Sequence, residues 1–238
     1  MTTITASKIV SKKYELTNET RVLGDYTLYR IKALRDFGDI KAGQLGGFIE
    51  KESNLSHDGN CWVYDDAWVY GQARVYENAK IRHNAQVCGH VYGNAHVCDK
   101  TRVYPHAHVY DNAHISNKAW VYHQARVYGN AKISGSARIK VKAKVYDNAV
   151  VNGAAKIYGS VYGNASVGGH TEVYGSVYGN AKVIGYHIIR GLVHGNARLK
   201  RDGYLYTKQN PSYAYGIPRD CEIYEGDNVV KISENKAT

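Results

Sequence analysis

His96 and His114 lie 18 residues apart, next to the small side chains of Cys98 and Ser116. A pair of imidazoles brought together could supply a general base for acyl transfer, taking the proton from an attacking hydroxyl or amine. A second kind of chemistry is written in rows of cations interleaved with aromatic residues. Arg74, His90, His108, Arg126 and Lys144 each sit two positions before Tyr76, Tyr92, Tyr110, Tyr128 and Tyr146, and Arg102, Trp120 and Arg138 run beside Tyr104 and Tyr122. Such rows suit a nucleic acid, an acidic protein or another polyanion. The four cysteines (Cys61, Cys88, Cys98, Cys221) have no metal-ligand spacing, so no metal is assigned. Paired-carboxylate, phosphate-loop and Ser-His-Asp patterns are absent.

What must position these residues is a repeat. Tyr128-Gly129-Asn130-Ala131 has copies starting at Tyr76, Tyr92, Tyr110, Tyr146, Tyr162, Tyr178 and, with one substitution, His194. The starts are 16 or 18 residues apart, and the third and fourth residues are always Asn and Ala. A period of that length marks a solenoid, in which each coil buries its apolar face against its neighbours.

Within a coil three sets of β-branched residues recur, represented by Val97, Val103 and Val109, with a small residue two positions before each. The period of 2 puts both on the inner face of a short strand. Three such sides make a coil of 18 residues. Where a coil has 16, the step between β-branched residues shrinks from six to four at the same corner: Val87 to Val91, Ile157 to Val161, Val173 to Val177 and Ile189 to Val193. The pattern predicts an all-β, single-stranded, three-sided parallel β-helix of about eight coils over 61–199. A non-repeating N-terminal cap is expected over 1–60, where Tyr29, Ile31 and Ala33 alternate with Arg30 and Lys32 as in a half-buried strand. Gly38, Gly43, Gly46 and Gly47 then read as a turn-rich connection. A C-terminal cap and tail are expected over 200–238. Each corner needs a residue at positive φ, which the Gly-Asn or Asp-Asn pair of the third corner would supply, and stacked Asn side chains can hydrogen-bond from coil to coil.

With 22 Tyr against 2 Phe the composition is β-rich, and the net charge of +10 favours an anionic partner. No stretch has the length of a membrane span, the first residues lack the build of a secretory signal, and the cysteines read as reduced; the expectation is a cytoplasmic protein.

The hexapeptide form Val-Tyr-Gly-Asn-Ala-Arg resembles the hexapeptide-repeat family over about 63–198. That resemblance implies a left-handed parallel β-helix, a trimer or another homo-oligomer, and acyl transfer from acyl-CoA with a His general base near a subunit boundary. On this chain the base would be His96 or His114. The segment GDIKAGQLGGFIEKESNLSHDGNCWVYDDA, Gly38 to Ala67, is similar to the start of the YdcK-like bacterial and prophage-associated proteins, a group often labelled transferases.

The residues leave two function classes open. One is a non-enzymatic interaction protein, phage- or prophage-encoded on the resemblance, that presents a Tyr- and Arg/Lys-lined face to an acidic partner or to itself. In that reading no cofactor is needed, and the third side, with its unbroken tyrosine row, is the expected contact surface. The other is a CoA-dependent acyltransferase. Nucleic-acid binding is a variant of the first, since a tyrosine and arginine surface serves both kinds of polyanion.

Overall fold

The computed structural model describes residues 11–201, 216–217, 219–227 and 230–232. Its body is the three-sided parallel β-helix that the period requires. Each side of a coil is a two-residue strand, the first residue outward and the second inward, such as His108–Val109, Arg126–Val127 and Lys144–Val145 stacked in parallel. Backbone bonds run from coil to coil, as in His108 N–H to the Ala125 carbonyl at 3.0 Å and Tyr110 N–H to the Val127 carbonyl at 3.0 Å. Inside, alanines and β-branched residues fill the prism with no access to water, among them Ala107, Val109, Ala125, Val127, Ala143 and Val145. Burial of each Val or Ile stabilises the coil by about 1.5–3 kcal/mol. Thr101 and Thr171 replace two of the alanines, and their hydroxyls donate to the carbonyls of Cys98 (2.7 Å) and Gly168 (2.9 Å).

The shortened corner has a clear geometry. At Tyr158-Gly159 both N–H groups donate to the Val173 carbonyl, at 2.7 and 2.9 Å, and Tyr174-Gly175 repeats the arrangement on Ile189 at 2.7 and 3.0 Å. A methyl group on Gly159 would collide with the Gly175 carbonyl oxygen of the next coil, so the tight corner admits only glycine there.

At the third corner the pair expected to supply positive φ does so, through its first residue: Glu77 (59°), Asp111 (56°), Gly129 (66°) and Asp147 (56°) adopt it and the asparagines do not. An acidic residue tolerates that backbone because its carboxylate accepts an N–H of the next coil: Asp111 from Gly129 at 3.1 Å, Asp147 from Gly163 at 3.0 Å. This frees the asparagines to bond each other. Asn78, Asn94, Asn112, Asn130, Asn148, Asn164, Asn180 and Asn196 form one amide chain with links of 3.0–3.4 Å.

The cap is an antiparallel hairpin, β1 (Tyr14–Leu23) and β2 (Tyr26–Ala33), followed by β3 (Leu45–Ile49). β2 pairs with β3, and β3 pairs in parallel with Trp68–Val69, so the hairpin extends the second side and covers its open edge. The expected alternation in β2 is present, with Ile31 and Ala33 buried. Coil-type stacking starts before residue 61, at Phe48 against Trp68, and Leu55 bridges to Val75. Gly46 and Gly47 therefore lie in a strand, not in a loop; side chains there would strike Val63, Trp62 and Ala67 of the first coil. Stacking also runs past residue 199. Leu192–Arg201 pairs with Lys182–Gly185 and with Cys221–Gly226, and Gly216–Ile217 extends the second side. Within the C-terminal cap and tail expected over 200–238, residues 202–215, 218, 228–229 and 233–238 lie outside the described residues. No helix among the described residues is long and apolar enough to cross a membrane.

Candidate functional site

The outward residues sort onto three faces as their spacing predicts. The third face carries Arg74, His90, His108, Arg126 and Lys144 in adjacent strands. At its edge Tyr76, Tyr92, Tyr110, Tyr128, Tyr146, Tyr162 and Tyr178 stack ring on ring, with centroids 4.7–4.9 Å apart and planes within 6° of parallel, and His194 continues the column. Each ring is half-buried. The stack consumes the ring faces, leaving edges and hydroxyls to water. Burial pushes the phenols of Tyr92, Tyr110 and Tyr128 above their ordinary pKa. The imidazoles of His90 and His108 are 4.9 Å apart; burial first, then Arg74 and His106, lowers the pKa of His90, and burial first, then His90, Arg126 and His106, lowers that of His108. At neutral pH they are uncharged, so the cations of this face are Arg74, Arg126 and Lys144, with two neutral rings between the first and the others.

The second face is built differently. Arg102, Trp120 and Arg138 occupy successive coils, and the two guanidinium groups flank the indole at 5.3 and 5.2 Å from the ring. Beside them Tyr104 stacks on Tyr122 at 4.6 Å and Tyr158 on Tyr174 at 4.5 Å. Lys140 interrupts that column, its ammonium 5.7 Å from the Tyr122 ring and 5.4 Å from Tyr158. Arg102 and Arg138 are exposed, and neither they nor Lys140 forms an ion pair among the described residues. The column of cations ends at Lys156, which Glu172 neutralises at 2.8 Å. Each cation–aromatic contact of this kind contributes about 0.5–1 kcal/mol when exposed, and holds the guanidinium in place before any partner arrives.

The first face holds the histidine pair. His96 and His114 are half-buried in neighbouring strands with ring centroids 6.1 Å apart. Burial, then the proximity of His114, Lys80 and Arg82, lowers the His96 pKa, which keeps it a neutral base. Lys80 and Arg82 are themselves held by Asp39 of the cap, at 3.0 and 3.4 Å, and Arg82 lies 3.8 Å over the Tyr64 ring. A shallow groove of about 510 Å³ lies between the cap and the third face, lined by Lys51, Ser53, Gly71, Gln72, Ala73, Arg74 and His90. His96 and His114 do not border it.

Sequence spacing thus placed each residue on its face. The tyrosine row of the third side reads as unbroken in the sequence, and Lys140 reads as the one non-aromatic residue between Tyr122 and Tyr158. The neighbour that sequence reasoning missed is Asp39, which holds Lys80 and Arg82. Asp39 had no signal, since it reaches the first face only through the fold of the cap.

By fold this is a parallel β-solenoid, and no family model matches the chain. Over 62 residues it is 39% identical to a protein of Escherichia coli (strain K12) named "Uncharacterized acetyltransferase YdcK". The shared stretch is 23% of this chain and 19% of that protein, so the chain spans about a fifth of its relative's length. The solenoid and this similarity together fit a hexapeptide-repeat protein.

Proposed function

We propose that the protein is a non-enzymatic binding solenoid that holds a polyanionic partner along its second face. One observation carries this reading: Arg102 and Arg138 clasp Trp120 while no carboxylate neutralises them among the described residues. Arg102 and Arg138 stand two strand spacings apart with the indole between them, and their repulsion, roughly 0.4 kcal/mol at about 10 Å in water, is relieved by a bound row of phosphates or carboxylates. The aromatic rings beside them offer stacking surface as well, which favours a single-stranded nucleic acid over an acidic protein. The contact surface is thereby moved from the third face, where the tyrosine faces are consumed, to the second.

Fluorescence anisotropy with a labelled single-stranded oligonucleotide and with labelled polyglutamate tests this. In the double variant Arg102→Glu/Arg138→Glu, affinity at low salt should fall on the order of a hundredfold, because attraction at two sites turns into repulsion. Arg126→Glu/Lys144→Glu on the third face should cost much less. Equal losses in the two variants would remove the assignment to a face, and no binding of either probe by the unaltered protein would remove the reading.

A second reading is favoured by the relative's name and by the neutral His96. In it the chain is an acyl-CoA-dependent transferase, His96 takes the acceptor's proton, and a homotrimer closes the site. Calorimetry with acetyl-CoA decides: saturable binding, with transfer lost in His96→Ala, would establish it.

A further inference from the structure

At the corner between the first and second faces three successive coils bring together His83, Cys98, Asp99 and His114. His83 Nδ1 lies 2.9 Å from Asp99 Oδ1, and Cys98 Sγ lies 4.0 Å from His114 Nε2. The donor atoms of His83, Cys98 and Asp99 all fall within 4.8 Å of one another. We propose that these side chains form a binding site for a divalent transition metal of the zinc type, with His83, Cys98 and Asp99 as ligands and His114 as the fourth.

Four lines of geometry and chemistry support the assignment. Zinc bonds of about 2.0–2.3 Å in a tetrahedron place ligand atoms roughly 3.3–3.8 Å apart, so modest side-chain rotations convert the observed cluster into a coordination sphere. Two imidazoles, a thiolate and a carboxylate are a borderline-soft set that selects zinc, cobalt or a neighbouring ion over magnesium or calcium. A thiolate and a carboxylate together also cancel the charge of a divalent ion. The carboxylate is already oriented from behind: Asp99 Oδ2 accepts the Asn117 backbone N–H at 2.8 Å and its side-chain amide at 3.3 Å, the kind of outer contact that fixes a metal ligand.

The donors are also exceptions within their rows. The position of Cys98 is taken by Ser116, Ser134 and Asn152 in the following coils, and that of His83 and Asp99 by Asn117, Gly135 and Gly153. The repeat tolerates non-ligands at every one of these places, and the four donors converge on one corner. No sequence motif announces them because each coil contributes only one or two ligands. The site is independent of the polyanion face, since none of its residues lies on the Arg102–Trp120–Arg138 column.

Cobalt(II) titration of the full chain, stripped first with a chelator and followed by absorption, tests the site. One equivalent should give the visible bands of four-coordinate cobalt and a thiolate charge-transfer band in the near ultraviolet, both displaced by zinc. Cys98→Ser should lose the charge-transfer band. His83→Ala, which removes an exposed side chain and leaves the core untouched, should weaken cobalt binding by about tenfold or more. His170→Ala, an exposed histidine further along the same edge, should change nothing. Circular dichroism confirms that each variant remains folded. Absence of the charge-transfer band in the unaltered protein, its persistence in Cys98→Ser, or unchanged affinity in His83→Ala would overturn the proposal.

Discussion

The second and third faces are made from the same repeat and nearly the same residue types, yet they end in different states. On the third face seven tyrosines and His194 stack without a gap, and two of the five basic positions are neutral histidines. On the second face a lysine breaks the column and two arginines clasp a tryptophan. A continuous outward aromatic row spends its ring faces on the solenoid's own stability. Where cations interrupt it, Arg102, Arg138 and Lys140 lie over the rings without an ion pair among the described residues, and those charges are what the proposed polyanion binding would use.

The sharpest way to break this contrast is to remove one ring from each face. Tyr128→Ala deletes two ring stacks, to Tyr110 and Tyr146, and should cost about 2 kcal/mol in urea unfolding, from about 0.5–1.5 kcal/mol per aromatic pair. Tyr158→Ala deletes one stack and a lysine contact and should cost about half as much. Equal costs would mean that the continuous column contributes nothing special.

The converse experiment converts one face into the other. Lys140→Tyr joins Tyr104, Tyr122, Tyr158 and Tyr174 into an unbroken column. It should raise stability by about 1 kcal/mol, while the lost charge weakens oligonucleotide binding by several-fold. A variant that is more stable and binds as tightly as before would separate the two properties that the comparison links.

Smaller effects test the scaffold under both faces. Asn130→Ala breaks two links of the amide chain, to Asn112 and Asn148, and should cost about 1 kcal/mol, since these bonds are exposed and compete with water. The smallest effect is that of pH. The pKa values of His90 and His108 are lower in the folded state than in the unfolded chain, so above the ordinary histidine pKa of about 6.5 they contribute nothing to pH dependence. As pH falls through that value the unfolded chain takes up protons first, and stability declines until the folded-state pKa is passed. The melting temperature should drop on acidification from pH 7 to about 5, and less so in His90→Gln/His108→Gln, by differential scanning fluorimetry.

Most of the solenoid was legible because its code is local. A β-branched residue every six positions, or four at one corner, fixes which side chains point inward, and Val87 to Val91 and Ile157 to Val161 turn at the corner that the step predicts. The ends were less legible because they use other rules. Gly46 and Gly47 looked like turn residues and are strand residues pressed against Trp62 and Ala67, a contact between segments that no local pattern encodes. Positive φ was placed on the Gly-Asn or Asp-Asn pair without choosing between its members; it falls on the first, and the coil-to-coil carboxylate bonds of Asp111 and Asp147 show why an acid can stand there. Among candidate sites, the faces and the unbroken tyrosine row of the third were legible, whereas the reach of Asp39 from the cap to Lys80 and Arg82 was not. The His83, Cys98, Asp99 and His114 corner escaped because its donors are separated by whole coils.

Photocrosslinking reads directly which face meets a polyanion. A single-stranded oligonucleotide carrying iodouracil is irradiated in complex with the full chain, and the modified residues are located by mass spectrometry. Binding along the second face should give adducts on Trp120, Tyr122 or Tyr158. Adducts confined to Tyr110, Tyr128 and Tyr146 would contradict it and return the contact surface to the continuous tyrosine column.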